Sequence, residues 1–200
     1  EGSRKVLLSF DEGGFFVSYE VVQSEHLLKG HVLDVYRDTI TLPNGKTTTR
    51  ENVLRGNAAA IVAVDGEGKL VFVRQYRHAV GEEVLEVPAG MLEEGEDPEV
   101  AAVRELEEET GWIAQKMTYM GQYYMAIGFC TEQVAFYIAE DLKEGKANPD
   151  PDEFITLESY SLEACMDMIF AGKIQDVKTM AGILAYRAYL QRKAGVLQKR

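Results

Sequence analysis

The chain has 200 residues and a formal net charge of -12, with 33 Asp and Glu against 21 Lys and Arg. Its 46% hydrophobic content supports a sizeable core, while the acidic balance excludes a general nucleic-acid binder, whose phosphate contacts need a basic surface. No stretch approaches the roughly 18 to 20 uninterrupted apolar residues of a membrane span, and no charged-then-apolar leader opens the chain, so cytoplasmic residence without a membrane partner is expected.

In chain order, residues 5–54 read as short strands: Lys5 to Phe10, Phe15 to Val22, His31 to Tyr36, and a hairpin from Thr39–Leu42 through Pro43-Asn44-Gly45 into Lys46–Arg50. So small a sheet can hardly bury a core unaided, and it is expected to pack on the rest of the chain or on another subunit. The domain boundary is therefore placed after residue 54, with residues 55–200 as the larger domain. There, Ala58–Val64 and Lys69–Arg74 flank Asp65-Gly66-Glu67-Gly68 as a second hairpin, and a helix is predicted over Pro98–Thr110. Strands follow around Met117–Tyr124 and Gln133–Ala139, then an acidic loop over Lys143–Glu153 and a last strand over Phe154–Tyr160. Ser161 caps a helix ending near Gly172, and Asp176 opens a longer one ending near Gly195. Strands on both sides of a lone helix, with more helices at the end, give an α/β or α+β sandwich. Cys130 and Cys165 are too far apart in sequence for a Cys-x-x-Cys site, and each reads as a buried free thiol. His26, His31 and His78 form no metal-ligand spacing.

The helix over Pro98–Thr110 carries the chemistry. Asp97 suits the N-cap, Pro98 the first helical position and Gly111 a left-handed C-cap. Glu105, Glu108 and Glu109 stand at i, i+3 and i+4 and so converge on one face, while Ala102, Val103 and Leu106 on the adjoining arc anchor the helix to the core. Carboxylates gathered in this way raise one another's pKa values, and two of them sit near the negative end of the helix, where they oppose its dipole. A divalent cation reverses those energetics, because Mg2+ takes hard oxygen ligands from a few carboxylates and from substrate phosphates. The alternative, a solvated acidic helix face, gives no reason for the caps and flanking glycines.

The full spacing is Gly90, five residues, Glu96, seven residues, then Arg104-Glu-Leu-Glu-Glu-Glu-Thr-Gly111. It resembles the Nudix box, the signature of hydrolases that cleave nucleoside diphosphates linked to another moiety. Trp112 departs from the usual aliphatic residue in a way that concerns packing. The resemblance implies a Nudix-type α/β/α sandwich in which Glu105 and Glu109 are the principal Mg2+ ligands, Mn2+ being an alternative occupant. It further implies that Glu108 is another ligand, that Ala89 offers its backbone carbonyl to a metal, and that Arg104 steadies the glutamates by pairing with Glu96 or Glu108.

A second layer of likeness covers most of the chain. Arg74-Gln75-Tyr76-Arg77, Glu86-Val87-Pro88-Ala89-Gly90, the N-terminal strand region and Gly172-Lys173-Ile174-Gln175-Asp176 resemble the ADP-ribose pyrophosphatase branch of that superfamily. That branch implies hydrolysis of a nucleoside diphosphate sugar, ADP-ribose, to AMP and ribose 5-phosphate. It also implies a homodimer that exchanges N-terminal sheets, phosphate contacts from Arg77 and Arg50, and a terminal-ribose contact from Glu132. ADP-ribose hydrolases usually carry Pro-Gly about sixteen residues beyond the box, whereas this chain has Ile127-Gly128, with Gly128 expected to supply a permissive backbone for the turn. The likeness to that branch also implies a catalytic base on the loop before the last strand, here Asp150-Pro-Asp-Glu153, with Glu153 the first choice and Asp152 the second. Alternatives are another nucleotide sugar such as GDP-mannose, a damaged nucleotide, or a module that binds without cleaving.

Overall fold

The computed structural model describes residues 5–6, 19–149, 151 and 153–195, and the chain divides into two compact units, residues 1–56 with 124–132 and residues 57–123 with 133–200.

The first unit is an antiparallel sheet in the order β1-β2-β3-β4, from Lys5–Val6, Tyr19–Lys29, Leu33–Thr41 and Thr47–Arg55. The expected strands around His31–Tyr36 and Thr39–Leu42 are one strand, β3. The charged Arg37-Asp38 pair between them does not break it, because Asp38 accepts across the sheet from Ser24 Oγ and Asn52 Nδ2, both at 2.6 Å. The segment 124–132 adds to β4, with Val53 N donating to Phe129 O (2.7 Å) and Thr131 N to Val53 O (3.0 Å). None of this unit's described residues is buried, and Val22, Leu28 and Val32 are each more than half exposed. The rest of the strand expected over Lys5–Phe10 and the start of the one expected over Phe15–Val22 lie outside the described residues.

The second unit holds the core. Its seven-stranded sheet runs β11-β6-β5-β10-β9, from Thr156–Tyr160, Leu70–Arg77, Ala58–Val64, Gln133–Glu144 and Trp112–Tyr124, with β7 (Glu82–Glu86) paired to β6 and β8 (Ala89–Met91) paired to β5. β5 and β10 pair in parallel and are fully apolar along their shared length, as a strand covered on both faces requires. Alternation along these two strands assigns the layers. Ala59, Ile61, Ala63, Ala135, Tyr137 and Ala139 pack with Ala101, Ala102 and Leu106 of helix α1 (Pro98–Thr110). On the opposite face, a Cβ added at Gly182 of helix α3 (Val177–Lys193) would lie 3.0 Å from Val62 and 3.8 Å from Phe136. Helices thus cover both faces of the sheet, the expected α/β/α sandwich. Helix α2 (Leu162–Phe170), capped by Ser161, precedes α3.

Two departures matter for the site. Val103 is only half-buried, and Ala101 takes the anchoring place assigned to it, because residues 101, 102 and 106 form the tighter apolar arc. β7 and β8 were not expected. β5 and β6 pair only at their hairpin end, Ala63 with Val71 and Val64 with Leu70. Beyond that point the two strands part, β7 takes β6 from Val73 to Arg77, and β8 takes β5 from Ala58 to Ala60. Pro88 and Ala89 sit in this split, pinned by Ile61 N donating to Pro88 O at 2.8 Å.

Candidate active site

Helix α1 begins and ends where its local chemistry dictates. Asp97 accepts from Glu99 N (2.8 Å), a cap worth about 1 kcal/mol, and Gly111, at φ 73°, donates to Glu107 O (2.7 Å). The chain then straps the helix end, Gly145 N donating to Gly111 O (2.7 Å) and Asn148 N to Glu108 O (2.9 Å). Trp112 packs against the core, consistent with a packing role.

Arg104 is the organiser of the glutamates. Its Nε and Nη2 donate to the two oxygens of Glu96 (3.0 and 2.9 Å), and Nη1 donates to Glu105 (2.7 Å) and Glu108 (2.9 Å). Nη2 also donates to Met91 O at 3.1 Å, tying the clamp to β8. One guanidinium therefore holds three carboxylates, which the planar fork suits and an ammonium would not. The bonds from Arg104 bring Glu96 below its ordinary value, whereas burial raises the Glu105 carboxyl, with Glu108 and Glu153 adding repulsion.

Glu109 is 4% exposed and accepts from Ala89 N at 3.1 Å. Burial pushes its carboxyl up to about 8, the charges of Glu105 and Glu153 add to the rise, and the Ala89 bond and Lys178 oppose it. Between the two glutamates, Gly90 leaves the space that the Glu105 carboxylate occupies: an added Cβ would fall 2.0 Å from Glu105 Cδ, so that side chain would have to move. Gly90→Ala is expected to leave the fold intact, displace the Glu105 carboxylate and lower turnover by about a hundredfold, measured as kcat beside an unchanged circular-dichroism spectrum.

A second ionic cluster lies beside the first. Arg77 donates from Nε and Nη2 to the two oxygens of Glu86 (2.6 and 2.9 Å), and Lys178 Nζ donates to Glu86 (3.1 Å) and to Asp176 (2.9 Å). Burial alone would raise Glu86, but its bonds to Arg77 and Lys178 outweigh that and hold it below its ordinary value.

The remaining expected residues are distributed as follows. Glu153 is half-buried, and its charge acts on Glu105 and Glu109. Asp152 lies outside the described residues. Arg50, Gly128 and Glu132 belong to the first unit, where Arg50 donates to Thr48 Oγ1 (3.2 Å) and Thr49 O (2.8 Å), and Glu132 pairs with Arg55 at 3.0 Å. The expectation for Gly128 is corrected. Its φ is not positive, and the turn closes by Phe129 N and Cys130 N donating to Ala126 O (3.0 and 2.9 Å), so the permissive backbone of glycine is not used. Among the described residues no three carboxylate, imidazole or thiol groups stand in a ligating cluster. Glu105 and Glu108 are drawn onto Arg104, and Glu109 onto the Ala89 amide. Sequence reading missed Lys178 as a neighbour of the site, for which Asp176-Val-Lys-Thr179 at a helix start was the available signal, and it missed the Arg55–Glu132 pair.

A helix of glutamates clamped by one arginine on a split mixed sheet offers hard oxygen ligands of the kind that divalent cations take. The chain belongs to the NUDIX domain family, which it matches over residues 54–181, and it is a Nudix hydrolase, an enzyme class that works with divalent metal ions. It is 39% identical to the ADP-ribose pyrophosphatase of Bacillus subtilis (strain 168), a match covering 87% of this chain and 93% of that one. It is 38% identical to the methanol dehydrogenase activator of Bacillus methanolicus, over 82% of this chain and 90% of that one. A crystal structure of an ADP compounds hydrolase superposes with a TM-score of 0.80 at 20% identity, over 92% of this chain and 98% of that one, a likeness of fold.

Proposed function

We propose that the protein hydrolyses the pyrophosphate of ADP-ribose to AMP and ribose 5-phosphate with Mg2+ as its metal, Mn2+ being able to replace it. The similarity to the Bacillus subtilis pyrophosphatase over nearly its whole length carries the choice of substrate. The metal assignment is supported by the gathering of Glu105, Glu108 and Glu109 around Arg104 and the Ala89 amide. Glu109, raised to about 8 mainly by burial and further by the charges of Glu105 and Glu153, is a carboxylate whose ionised form a bound cation would favour. Glu105, Glu109, the Ala89 carbonyl and Glu108 are the proposed ligands, and when bound the metal neutralises phosphate oxygens and lowers the pKa of water.

The protein's own groups do the rest. Arg104 keeps the glutamates in register, and Arg77, whose side chain is 43% exposed, offers donors to a substrate phosphate. Glu153 takes a proton from the water whose oxygen attacks phosphorus as the anhydride P–O bond breaks. Glu153→Gln is expected to lower kcat by about 10²- to 10⁴-fold with little change in KM. The same result from Asp152→Asn alone would move the base one residue earlier.

A cytoplasmic homodimer is part of the proposal, with residues 1–54 as the dimerisation region. Its support is that none of the first unit's described residues is buried, together with resemblance to a branch that dimerises in this way. By the same resemblance Arg50, Gly128 and Glu132 contribute to substrate binding, Arg50 from across the dimer. A second reading, a nucleotide sugar such as GDP-mannose, is favoured by Ile127 standing where ADP-ribose hydrolases carry proline. Comparing kcat/KM across a panel of nucleoside diphosphate derivatives tests the choice: ADP-ribose is expected to lead, and a higher value for GDP-mannose would overturn it.

A further inference from the structure

The first turn of α3 carries an alternation of charge that the hydrolytic reading leaves unused. Its cap, Asp176, accepts from Thr179 N (2.9 Å), Thr179 Oγ1 (2.6 Å) and Lys178 Nζ (2.9 Å). Thr179 Oγ1 in turn accepts from Val87 N at 2.9 Å, two residues before Ala89. Lys178 and Glu86 are withdrawn from water, their side chains 14% and 6% exposed, whereas Arg77 at 43% reaches toward solvent.

Arg77 already forms a two-pronged pair with Glu86, so neutralising that carboxylate does not require a lysine. A second cation on the same carboxylate has a different effect. With Glu86 as its sole counterion, Arg77 would be held as one half of a neutral, partly buried pair, and its pull on an incoming anion would be largely cancelled. Lys178 divides the charge of Glu86 between two donors, and Asp176 anchors Lys178 from behind. The guanidinium stays oriented by Glu86 while keeping part of its positive charge for a ligand.

We propose that Lys178 is a positioning residue for substrate phosphate, acting by sharing Glu86 with Arg77 and never touching the substrate itself. The proposal rests on the reading of Arg77 as a phosphate contact. It differs from that reading in placing a determinant of affinity on α3, 92 residues from Glu86 in the chain.

The test is steady-state hydrolysis of ADP-ribose by the full-length protein at saturating Mg2+. Lys178→Met is expected to raise KM about tenfold and change kcat less than about threefold, and Lys178→Arg to restore KM. Adding Glu86→Gln to Lys178→Met removes the buried charge that needed a second cation, so KM returns to the value of Glu86→Gln alone. In an Arg77→Ala background Lys178→Met leaves KM unchanged. A purely structural tie predicts instead a lower Tm with KM intact, or the same rise in KM with and without Arg77, and either result overturns the proposal. If Lys178→Met alone does not fold, the neutral double variant compared with Glu86→Gln decides: equal KM values support the proposal and a remaining tenfold difference overturns it. Wild-type protein that does not turn over ADP-ribose would count against the substrate instead, and the KM comparison then uses whichever nucleoside diphosphate derivative the protein cleaves.

Discussion

Glu109→Gln is expected to cut turnover by about a thousandfold or more while the protein stays folded, because it removes a carboxylate only 4% exposed from the proposed metal site. The variant also separates a ligand from a structural residue through stability. In the metal-free wild type the Glu109 carboxyl titrates at about 8 against 4.5 for the ordinary group. A carboxyl raised on folding favours the native state at low pH, and that contribution is lost as pH climbs through the interval from 4.5 to about 8. Glutamine carries no such penalty. With chelator present, the Tm of Glu109→Gln should therefore exceed that of the wild type, and the stability difference should widen with pH up to about 8, toward on the order of 5 kcal/mol. Near-wild-type turnover in this variant would remove Glu109 from the metal site, and a lower metal-free Tm at pH 8 would show its charge to be stabilising.

Deleting residues 1–54 is expected to abolish activity although the box from Gly90 to Trp112 is untouched. In the first unit Tyr19, Val22, Leu27, Leu28 and Val32 all stay exposed in a single chain, an arrangement that a second copy would relieve. An interface of that apolar character persists at high salt. Light scattering should accordingly report a dimer at micromolar concentration and in 1 M salt, and a fully active monomer would defeat the proposal. Mixing Arg50→Ala protein with Glu109→Gln protein tests the sharing of sites. Random exchange of subunits should recover about a quarter of wild-type activity if Arg50 serves the partner's site, and none if it serves its own.

The sequence was most legible where structure is decided locally. Asp97, Pro98 and Gly111 mark the ends of α1 within a few residues of the groups they cap, and the predicted bounds Pro98–Thr110 are those observed. The apolar run Ala58–Val64 likewise announces a central strand. β7 and β8 escaped notice because they are five and three residues long, acidic or small, and separated by Val87-Pro88. They are strands only because β5 and β6 part and leave unpaired edges for them. At the site, the Arg104 pairs with Glu96 and Glu108 were implied by the resemblance to the box, but the tie of Arg104 to Met91 O depends on how β8 meets the helix. The Glu86–Lys178 bond spans 92 residues and leaves no periodic trace in sequence. Gly128 was misjudged because a glycine in a turn need not occupy the left-handed region.

The most direct measurement is product analysis on chelator-stripped protein given ADP-ribose, before and after Mg2+ is added back. AMP and ribose 5-phosphate in equal amounts, formed only after the addition, are the predicted result. ADP-ribose that binds but stays intact in the presence of Mg2+, or products that form at the same rate with chelator present, would contradict a metal-dependent ADP-ribose hydrolase.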